Sequence, residues 1–376
     1  MSNVFRLLIA GGGTGGHITP GLAVVEAVRE RIRHPKILWV GVRGRSEEDM
    51  VPRFNVPLTT LKLSGLNRSI GFKATWRNLS TIATWMTLRP IRQARAIIHE
   101  FAPDFVLGTG GYVCAPVMIA AKMAGIRTWL LEQNSVPGLT VKLLARWVDG
   151  VGTAYEITRS QLPSQTCVEL VGNPVLSKII SADRQSSIEE FELDRSKKTL
   201  LVIGGSLGSE VLNSLVRDLM ILDRNGLILE NWQILHATGH GKYEKFIQTI
   251  TPRPNYHPFP FIYNTHQALA AADLVLCRAG AMTLAEITAR GIPSIIVPWP
   301  GAVRNHQTTN AGELSRAGAA FVLPESEVSG VRIADIIQSL NAYPARLGIM
   351  AQKAKELGKP DAAERIVDLM LSKDMY

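Results

Sequence analysis

The residues best placed to do chemistry lie around glycines. Gly11, Gly13 and Gly16 stand in the run Gly11-Gly12-Gly13-Thr14-Gly15-Gly16, and His17 closes it. Five glycines among six residues carry a conformational entropy cost that a plain turn does not require. Bare N–H groups at the start of a helix bind anions. Histidine is the side chain that accepts a proton near neutral pH. A lone histidine is often a capping or packing residue, but one at the mouth of such a loop is a candidate general base. A second run, Gly204-Gly205-Ser206-Leu207-Gly208-Ser209, repeats the physics, and the Ser206 hydroxyl adds a donor for a phosphate oxygen. Two glycine loops, one in each half of the chain, point to a ligand held across a cleft.

Two further segments carry polar chemistry. Cys277-Arg278-Ala279-Gly280 leads into Ala281-Met282-Thr283-Leu284-Ala285-Glu286. Glu286 falls about two turns into the helix that follows, or nearer its start if the turn is longer, where its carboxylate would favour the dipole; it can also accept from both hydroxyls of a ribose. The run Arg304-Asn305-His306-Gln307-Thr308-Thr309-Asn310 follows Pro298-Trp299-Pro300 and offers the amides and hydroxyls that a sugar needs, though an ordinary helix start has the same composition. The glycine spacing of the first loop also matches a dinucleotide site. That site calls for an acid at the end of the second strand, where Val40-Gly41-Val42-Arg43 has none, so only a weak NADP reading survives. No Asp-x-Asp pair occurs, which favours a diphosphate held by loops and helix dipoles rather than by a metal.

The elements that must position these groups alternate. Strands are expected at Val4–Ala10, Ile37–Val40, Phe105–Gly108, Thr128–Leu131 and Val168–Val171, with helices over Pro20–Arg31 and Pro116–Ala124. After a polar stretch at Ser181–Lys198 the pattern restarts, with strands at Thr199–Ile203, Gln233–Ala237, Leu274–Cys277 and Ser294–Val297. This is an α/β chain of two Rossmann-like domains joined near Pro174. Asp361–Leu371 has helical spacing, with Ile366 and Met370 on one side.

Composition sets the wider limits. With 376 residues, 46% of them hydrophobic, the chain can bury two cores. Its formal charge of +9 fits nucleic acid, an anionic membrane or a phosphorylated substrate, and no nucleic-acid module accompanies it. Cys114, Cys167 and Cys277 are far apart in apolar surroundings and read as buried thiols; no metal-ligand spacing occurs. The early apolar run Leu7–Ala10 is too short for a signal peptide, and no run nears the roughly 20 residues of a membrane span. A cytosolic protein, or one on the cytosolic face of a membrane, is expected. The segment 72–95 places Trp76, Leu79, Ala83 and Met86 at helical spacing, with Ile82 and Trp85 beside them and Lys73, Arg77, Arg89, Arg92 and Arg95 around them. It suits a core helix with a basic rim or a face that sits on an anionic bilayer.

Taken in order, Gly12-Gly13-Thr14-Gly15-Gly16-His17, Ser64-Gly65-Leu66, Gly110-Gly111-Tyr112, Glu132-Gln133-Asn134, Gly172-Asn173-Pro174, Gly204-Gly205-Ser206, Cys277 through Glu286, and Asn305-His306-Gln307 with Asn310-Ala311 resemble the MurG family over nearly the whole chain. These are the UDP-N-acetylglucosamine–N-acetylmuramyl-(pentapeptide) pyrophosphoryl-undecaprenol N-acetylglucosamine transferases. The resemblance implies the GT-B fold, two Rossmann-like domains with parallel sheets facing across a cleft. Residues 1–175 would form the acceptor and membrane-docking domain and 176–376 the UDP-sugar domain, with the last helix free to pack back on the first. It implies inverting transfer to the 4-hydroxyl of the muramyl sugar, with His17 as base and no cofactor. Thr14, Gly15, Gly16 and Asn134 would line the acceptor side. Ser206 would contact the diphosphate, Ile262 the uracil edge and Glu286 the ribose, with Ala281, Met282, Thr283, Leu284 and Ala285 beside it; His306 and Gln307 would hold the sugar. Lys73, Trp76, Arg77, Leu79, Ile82, Trp85, Arg89 and Arg92 match the family's membrane-docking region. A peripheral place on the cytoplasmic side of the inner membrane follows, with roles in cell-wall synthesis, cell shape, division and the cell cycle, and partners among proteins of those processes. Two departures stand out: Leu176 where the family usually has Arg, and Arg304 where an acid is common. The alternatives are a UDP-N-acetylglucosamine 2-epimerase-like enzyme of the same fold or a non-catalytic binding homologue.

Overall fold

The computed structural model describes residues 4–63, 88–205 and 207–372. The chain divides into two compact units, Met1–Leu176 with Asp361–Tyr376, and Ser177–Pro360. Among the described residues the first unit holds a seven-stranded sheet made of β1 (Arg6–Gly11), β2 (Lys36–Val42), β3 (Leu58–Leu61), β4 (Phe105–Gly110), β5 (Arg127–Glu132), β6 (Gly150–Thr153) and β7 (Val168–Leu170), in the order β3-β2-β1-β4-β5-β6-β7. The second holds a six-stranded sheet of β8 (Lys198–Ile203), β9 (Trp232–Ala237), β10 (Tyr256–Phe259), β11 (Leu274–Cys277), β12 (Ser294–Ile296) and β13 (Ala320–Val322), in the order β10-β9-β8-β11-β12-β13. Every ladder is parallel.

Parallel strands covered on both faces by helices are apolar throughout, and Leu7–Ala10 and Leu200–Val202 are wholly buried. Strand order reverses between β1 and β4 in the first sheet and between β8 and β11 in the second. Loops at the carboxyl ends of strands flanking such a reversal are where open α/β sheets place their ligands. The loops that leave β1, β4, β8 and β11 are the four that carry the glycine and Cys277–Glu286 segments.

Two local features depart from expectation. The first helix runs Gly15–Arg31, not from near Pro20, and takes Pro20 inside it. The Thr14 carbonyl accepts from the N–H groups of His17 and Ile18, so Gly15, Gly16 and His17 form the opening turn. Strands β3, β6, β10 and β13 were not foreseen. β3, β10 and β13 are short strands at sheet edges. β6 is interior but contains Gly150 and Gly152, whose missing side chains admit neighbours: a Cβ on Gly150 would lie 2.5 Å from the Trp129 ring. The helix Ala362–Leu371 buries Ile366, Val367 and Met370 and packs on the helix Gly15–Arg31. Arg127 donates to the carbonyls of Leu369, Met370 and Ser372 at its end, satisfying acceptors that a helix leaves over.

Candidate active site

In the first unit β1 carries the chain into Gly11–Gly13, which turns at Gly13 (φ +90°) into the helix that bears His17. β4 ends alongside in Gly110 (φ +117°) and Gly111 (φ +84°). A Cβ on Gly110 would stand 2.2 Å from His17 Nδ1, and one on Gly111 would stand 2.5 Å from the Gly12 carbonyl oxygen. Glycine at both places lets the two loops close on each other around the imidazole. Thr109 Oγ1 donates to the His17 carbonyl at 2.7 Å and joins the two loops further.

The half-buried His17 ring meets Gln133, at the end of β5, with 3.1 Å between Nδ1 and Oε1. Gln133 is itself buried, and its Nε2 donates to the Thr109 carbonyl at 2.8 Å. Asn173 Nδ2 donates to the Gln133 carbonyl at 3.0 Å, so the Gly172-Asn173-Pro174 segment braces the residue behind the histidine. Burial holds the His17 imidazole below the ordinary histidine value; the hydrogen bonds with Gln133 and the Thr109 carbonyl and the charge of Glu47 act the other way. The ring is thus kept neutral at neutral pH, the form that can take a proton.

Asn134 follows Gln133. Its backbone N–H and its side-chain amide both donate to Glu132 Oε1, at 2.9 and 3.3 Å, and the other Glu132 oxygen accepts from Gly138 N–H at 2.7 Å. Burial raises the Glu132 carboxyl against these N–H groups, which pull it down. Glu132 therefore shapes the turn that presents Asn134. Thr14 and Gly16 are exposed beside His17 and Gly15 is half-buried. The first unit brings Thr14, Gly15, Gly16, His17 and the Gln133 segment to the carboxyl end of its sheet.

Glu47 was not anticipated. It is wholly buried, with Oε1 accepting from Val42 N–H at 2.8 Å and Oε2 from Gly13 N–H at 3.0 Å. A Cβ on Gly12 would lie 2.0 Å from its Oε1. An acid thus does sit beyond the second strand, but it faces the protein's own glycine loop. It also corrects the picture of a bare loop, because the Gly13 N–H already has an anionic partner. In the sequence Glu47 opens a Glu-Glu-Asp run that looks like a solvated helix start, which is why it escaped notice.

In the second unit the loop after β8 packs backbone to backbone on the loop after β9. A Cβ on Gly208 (φ +67°) would lie 2.4 Å from the Thr238 carbonyl oxygen. Ser209 caps the helix Glu210–Leu222. Arg278, after β11, ties the strand ends together: Nε donates to Ser209 Oγ at 3.2 Å, Nη1 donates to the Val297 carbonyl at 3.1 Å, and the side chain pairs with Glu325 at 2.5 Å.

The helix Ala281–Arg290 follows, and its first hydrogen bond runs from Leu284 N–H to the Gly280 carbonyl. The N–H groups of Ala281, Met282 and Thr283 are left over at its start. Met282 and Leu284 turn their side chains into the core, so the helix start offers their backbone and not their side chains. Glu286 lies in the second turn, half-buried and with no hydrogen bond among the described residues; burial pushes its carboxyl up to about 7 against the pull of Lys178. Ile262 is buried just after β10.

The polar loop after β12 has an unusual backbone. Arg304 (φ 53°) and Asn305 (φ 55°) are consecutive non-glycine residues in the left-handed region before the helix His306–Arg316. Strain of this kind gathers at functional sites. His306 Nδ1 lies 2.8 Å from the Val303 carbonyl oxygen, and Gln307 Oε1 accepts from Trp299 N–H at 2.9 Å. With its oxygen engaged, Gln307 has its amide NH2 group as its remaining donor. Leu176 is buried, and its apolar side chain offers no polar contact. Ser206 and the residues Lys73, Trp76, Arg77, Leu79, Ile82 and Trp85 lie outside the described residues; Arg89 and Arg92 are exposed on the helix Leu88–Phe101. Among the described residues no helix is long and apolar enough to cross a membrane, and no group of His, Cys, Asp and Glu could hold a metal ion.

The N-terminal domain of glycosyltransferase family 28 matches residues 7–153, and the family's C-terminal domain matches residues 199–366. The chain is 40% identical over 369 residues to the UDP-N-acetylglucosamine–N-acetylmuramyl-(pentapeptide) pyrophosphoryl-undecaprenol N-acetylglucosamine transferase of Desulforamulus reducens, across 96% of this chain and 97% of that one. Among solved structures, MurG of Acinetobacter baumannii matches with a TM-score of 0.70 and 27% identity, over 97% of this chain and 99% of its own. A UDP-GlcNAc 2-epimerase of Neisseria meningitidis matches with a TM-score of 0.64 at 15% identity, over 98% of this chain and 100% of its own, a likeness of fold alone. With two parallel sheets of GT-B type, family 28 domains matched in both halves and a relative this similar along its whole length, the chain belongs to the MurG family of N-acetylglucosamine transferases.

Proposed function

We propose that the chain transfers N-acetylglucosamine from UDP-N-acetylglucosamine to the 4-hydroxyl of undecaprenyl-pyrophosphoryl-N-acetylmuramoyl-pentapeptide, with inversion and with His17 as general base. The observation that carries the assignment of the base is the environment of His17. The ring closes the glycine loop at the carboxyl end of the sheet with Nδ1 3.1 Å from Gln133 Oε1, and burial lowers its pKa, which favours the neutral form.

The hydroxyl oxygen of the acceptor attacks the anomeric carbon of the donor sugar while His17 Nε2 takes its proton. The bond from that carbon to the diphosphate oxygen breaks, and UDP leaves with the electron pair. Negative charge growing on the diphosphate is met by N–H groups that need no reorganisation; those of Ala281, Met282 and Thr283 are the candidates in the second unit, with the Ser206 hydroxyl. Glu286 is assigned to the ribose hydroxyls, Ile262 to the uracil edge, and Gln307 and His306 to the sugar. Thr14, Gly15, Gly16 and Asn134 are assigned to the acceptor side.

The lipid-linked acceptor calls for contact with a membrane surface. The basic, tryptophan-bearing segment that continues into the exposed Arg89 and Arg92 suits an anionic bilayer, and with it a peripheral place on the cytoplasmic face of the inner membrane. Supply of the disaccharide precursor would tie the protein to cell shape and division and to the proteins that carry them out. Radiolabelled UDP-N-acetylglucosamine with the lipid-linked acceptor tests the reaction. Label must pass into the lipid fraction and be lost with His17→Ala; label released only as free sugar or an epimer would point to another activity of this fold.

A further inference from the structure

Gln133 has two polar ends and two different neighbours. One end lies 2.8 Å from the Thr109 carbonyl oxygen and 3.4 Å from that of Leu131. Carbonyl oxygens only accept, so the end facing both must be the NH2 group. The opposite choice would put the amide oxygen against a carbonyl oxygen in a buried place, with neither satisfied. The amide oxygen is therefore the end at 3.1 Å from His17 Nδ1. A bare Nδ1 cannot bond to an oxygen, so Nδ1 must carry the hydrogen. The neutral ring then has its lone pair on Nε2.

The side chain cannot turn over easily. Gln133 is 2% exposed, its carbonyl is held by Asn173, and Gly110 closes against the imidazole. We propose that Gln133 is a positioning residue which, read through the Thr109 and Leu131 carbonyls, fixes His17 as the Nδ1–H tautomer and so leaves Nε2 as the atom that accepts the acceptor's proton. This rests on the assignment of His17 as base. It adds that two backbone carbonyls, which never touch substrate, decide which nitrogen is basic.

The test reads the tautomer directly. The full-length protein is labelled with 15N in histidine, and the His17 signals are identified by their loss in His17→Gln. Long-range proton–nitrogen correlation above pH 7 should show Nδ1 protonated and Nε2 bare; the reverse pattern overturns the proposal. Gln133→Met, which cannot accept from Nδ1, should show a mixed tautomer and a kcat lower by about 10–100-fold, the scale seen when a partner that orients a metal-bound histidine is removed, with KM for the donor little changed. Gln133→Glu should restore the Nδ1–H tautomer, since a carboxyl accepts from the ring whether or not it also donates to Thr109. If Gln133→Met keeps both the pure Nδ1–H tautomer and full kcat, the proposal fails. Should that variant not fold, the wild-type and Gln133→Glu spectra decide alone. A His17→Ala enzyme that kept its turnover would remove the base and leave the tautomer result standing, so the two failures are separable.

Discussion

Replacing Glu47 should damage both stability and turnover while sparing the nucleotide site. Its two oxygens each accept one backbone N–H, from Val42 and from Gly13, and the side chain is wholly buried. Glu47→Ala leaves two donors unpaired and opens a cavity. A buried donor without a partner costs roughly 1–3 kcal/mol, so the pair should cost about 2–6 kcal/mol. For a unit of this size roughly 2–4 °C of Tm is lost per kcal/mol, giving a fall of about 4–24 °C. Glu47→Gln separates acceptor chemistry from volume. The amide fills the same space and still accepts one N–H, but its NH2 group faces the other, so it should recover only part of the loss. Turnover should fall in both variants because Gly12–Thr14 leads directly into the turn that holds His17. UDP binding, assigned to the second unit, should not change. Calorimetric melting, calorimetric titration with UDP and steady-state rates measure the three quantities. A Glu47→Gln protein with wild-type Tm and kcat would show that the two N–H groups do not depend on a carboxylate, and the account of the loop would be wrong.

Four other outcomes are expected. His17→Ala should lose ~10²–10⁴-fold in kcat, the worth of a general base, with Tm and UDP affinity near wild type; loss of folding instead would make His17 a structural residue. Glu286→Ala should weaken UDP binding by ~1.5–3 kcal/mol, the usual worth of a hydrogen bond to a charged group. Because burial raises the Glu286 carboxyl to about 7, the wild-type affinity should climb as pH rises through that value and the variant's should not. His236, buried between Tyr256 and Asn213 and held down to about 3, should destabilise the second unit as pH falls below about 6.5. There the unfolded chain takes a proton that the folded one refuses, at about 1.4 kcal/mol per pH unit; chemical denaturation of His236→Gln between pH 4 and 7 should show a shallower decline. Changing Arg77, Arg89 and Arg92 to Ser should reduce sedimentation with anionic vesicles at low salt, and equal binding would return the segment 72–95 to a core-helix role.

The architecture was legible where chemistry is local. Leu7–Ala10 and Leu200–Val202 declared themselves as strands because a strand buried on both faces must be apolar at every position. The glycine runs declared the loops because little else tolerates the left-handed backbone at Gly13, Gly110, Gly205 and Gly208. Strands β3, β10 and β13 were missed because a short edge strand needs only one partner and carries a weaker apolar signal.

The site divides in the same way. By itself the sequence determined that a histidine follows a glycine loop, that a second such loop lies in the other half, that Glu286 falls on the helix after Cys277–Gly280 and that Gln307 sits near a helix start; each of these depends on residues a few positions apart. Only the tertiary structure decided that Gln133, 116 residues along the chain, faces His17. Only it decided that Glu47, 34 residues beyond Gly13, lies beneath the first loop rather than in solvent. Both contacts depend on strand order. β4 and β5 follow β1 across the sheet on one side and β2 lies on the other, so the loops leaving these strands converge on the glycine turn, and hydrogen bonding to its backbone and its histidine then selects which distant side chains can be buried there.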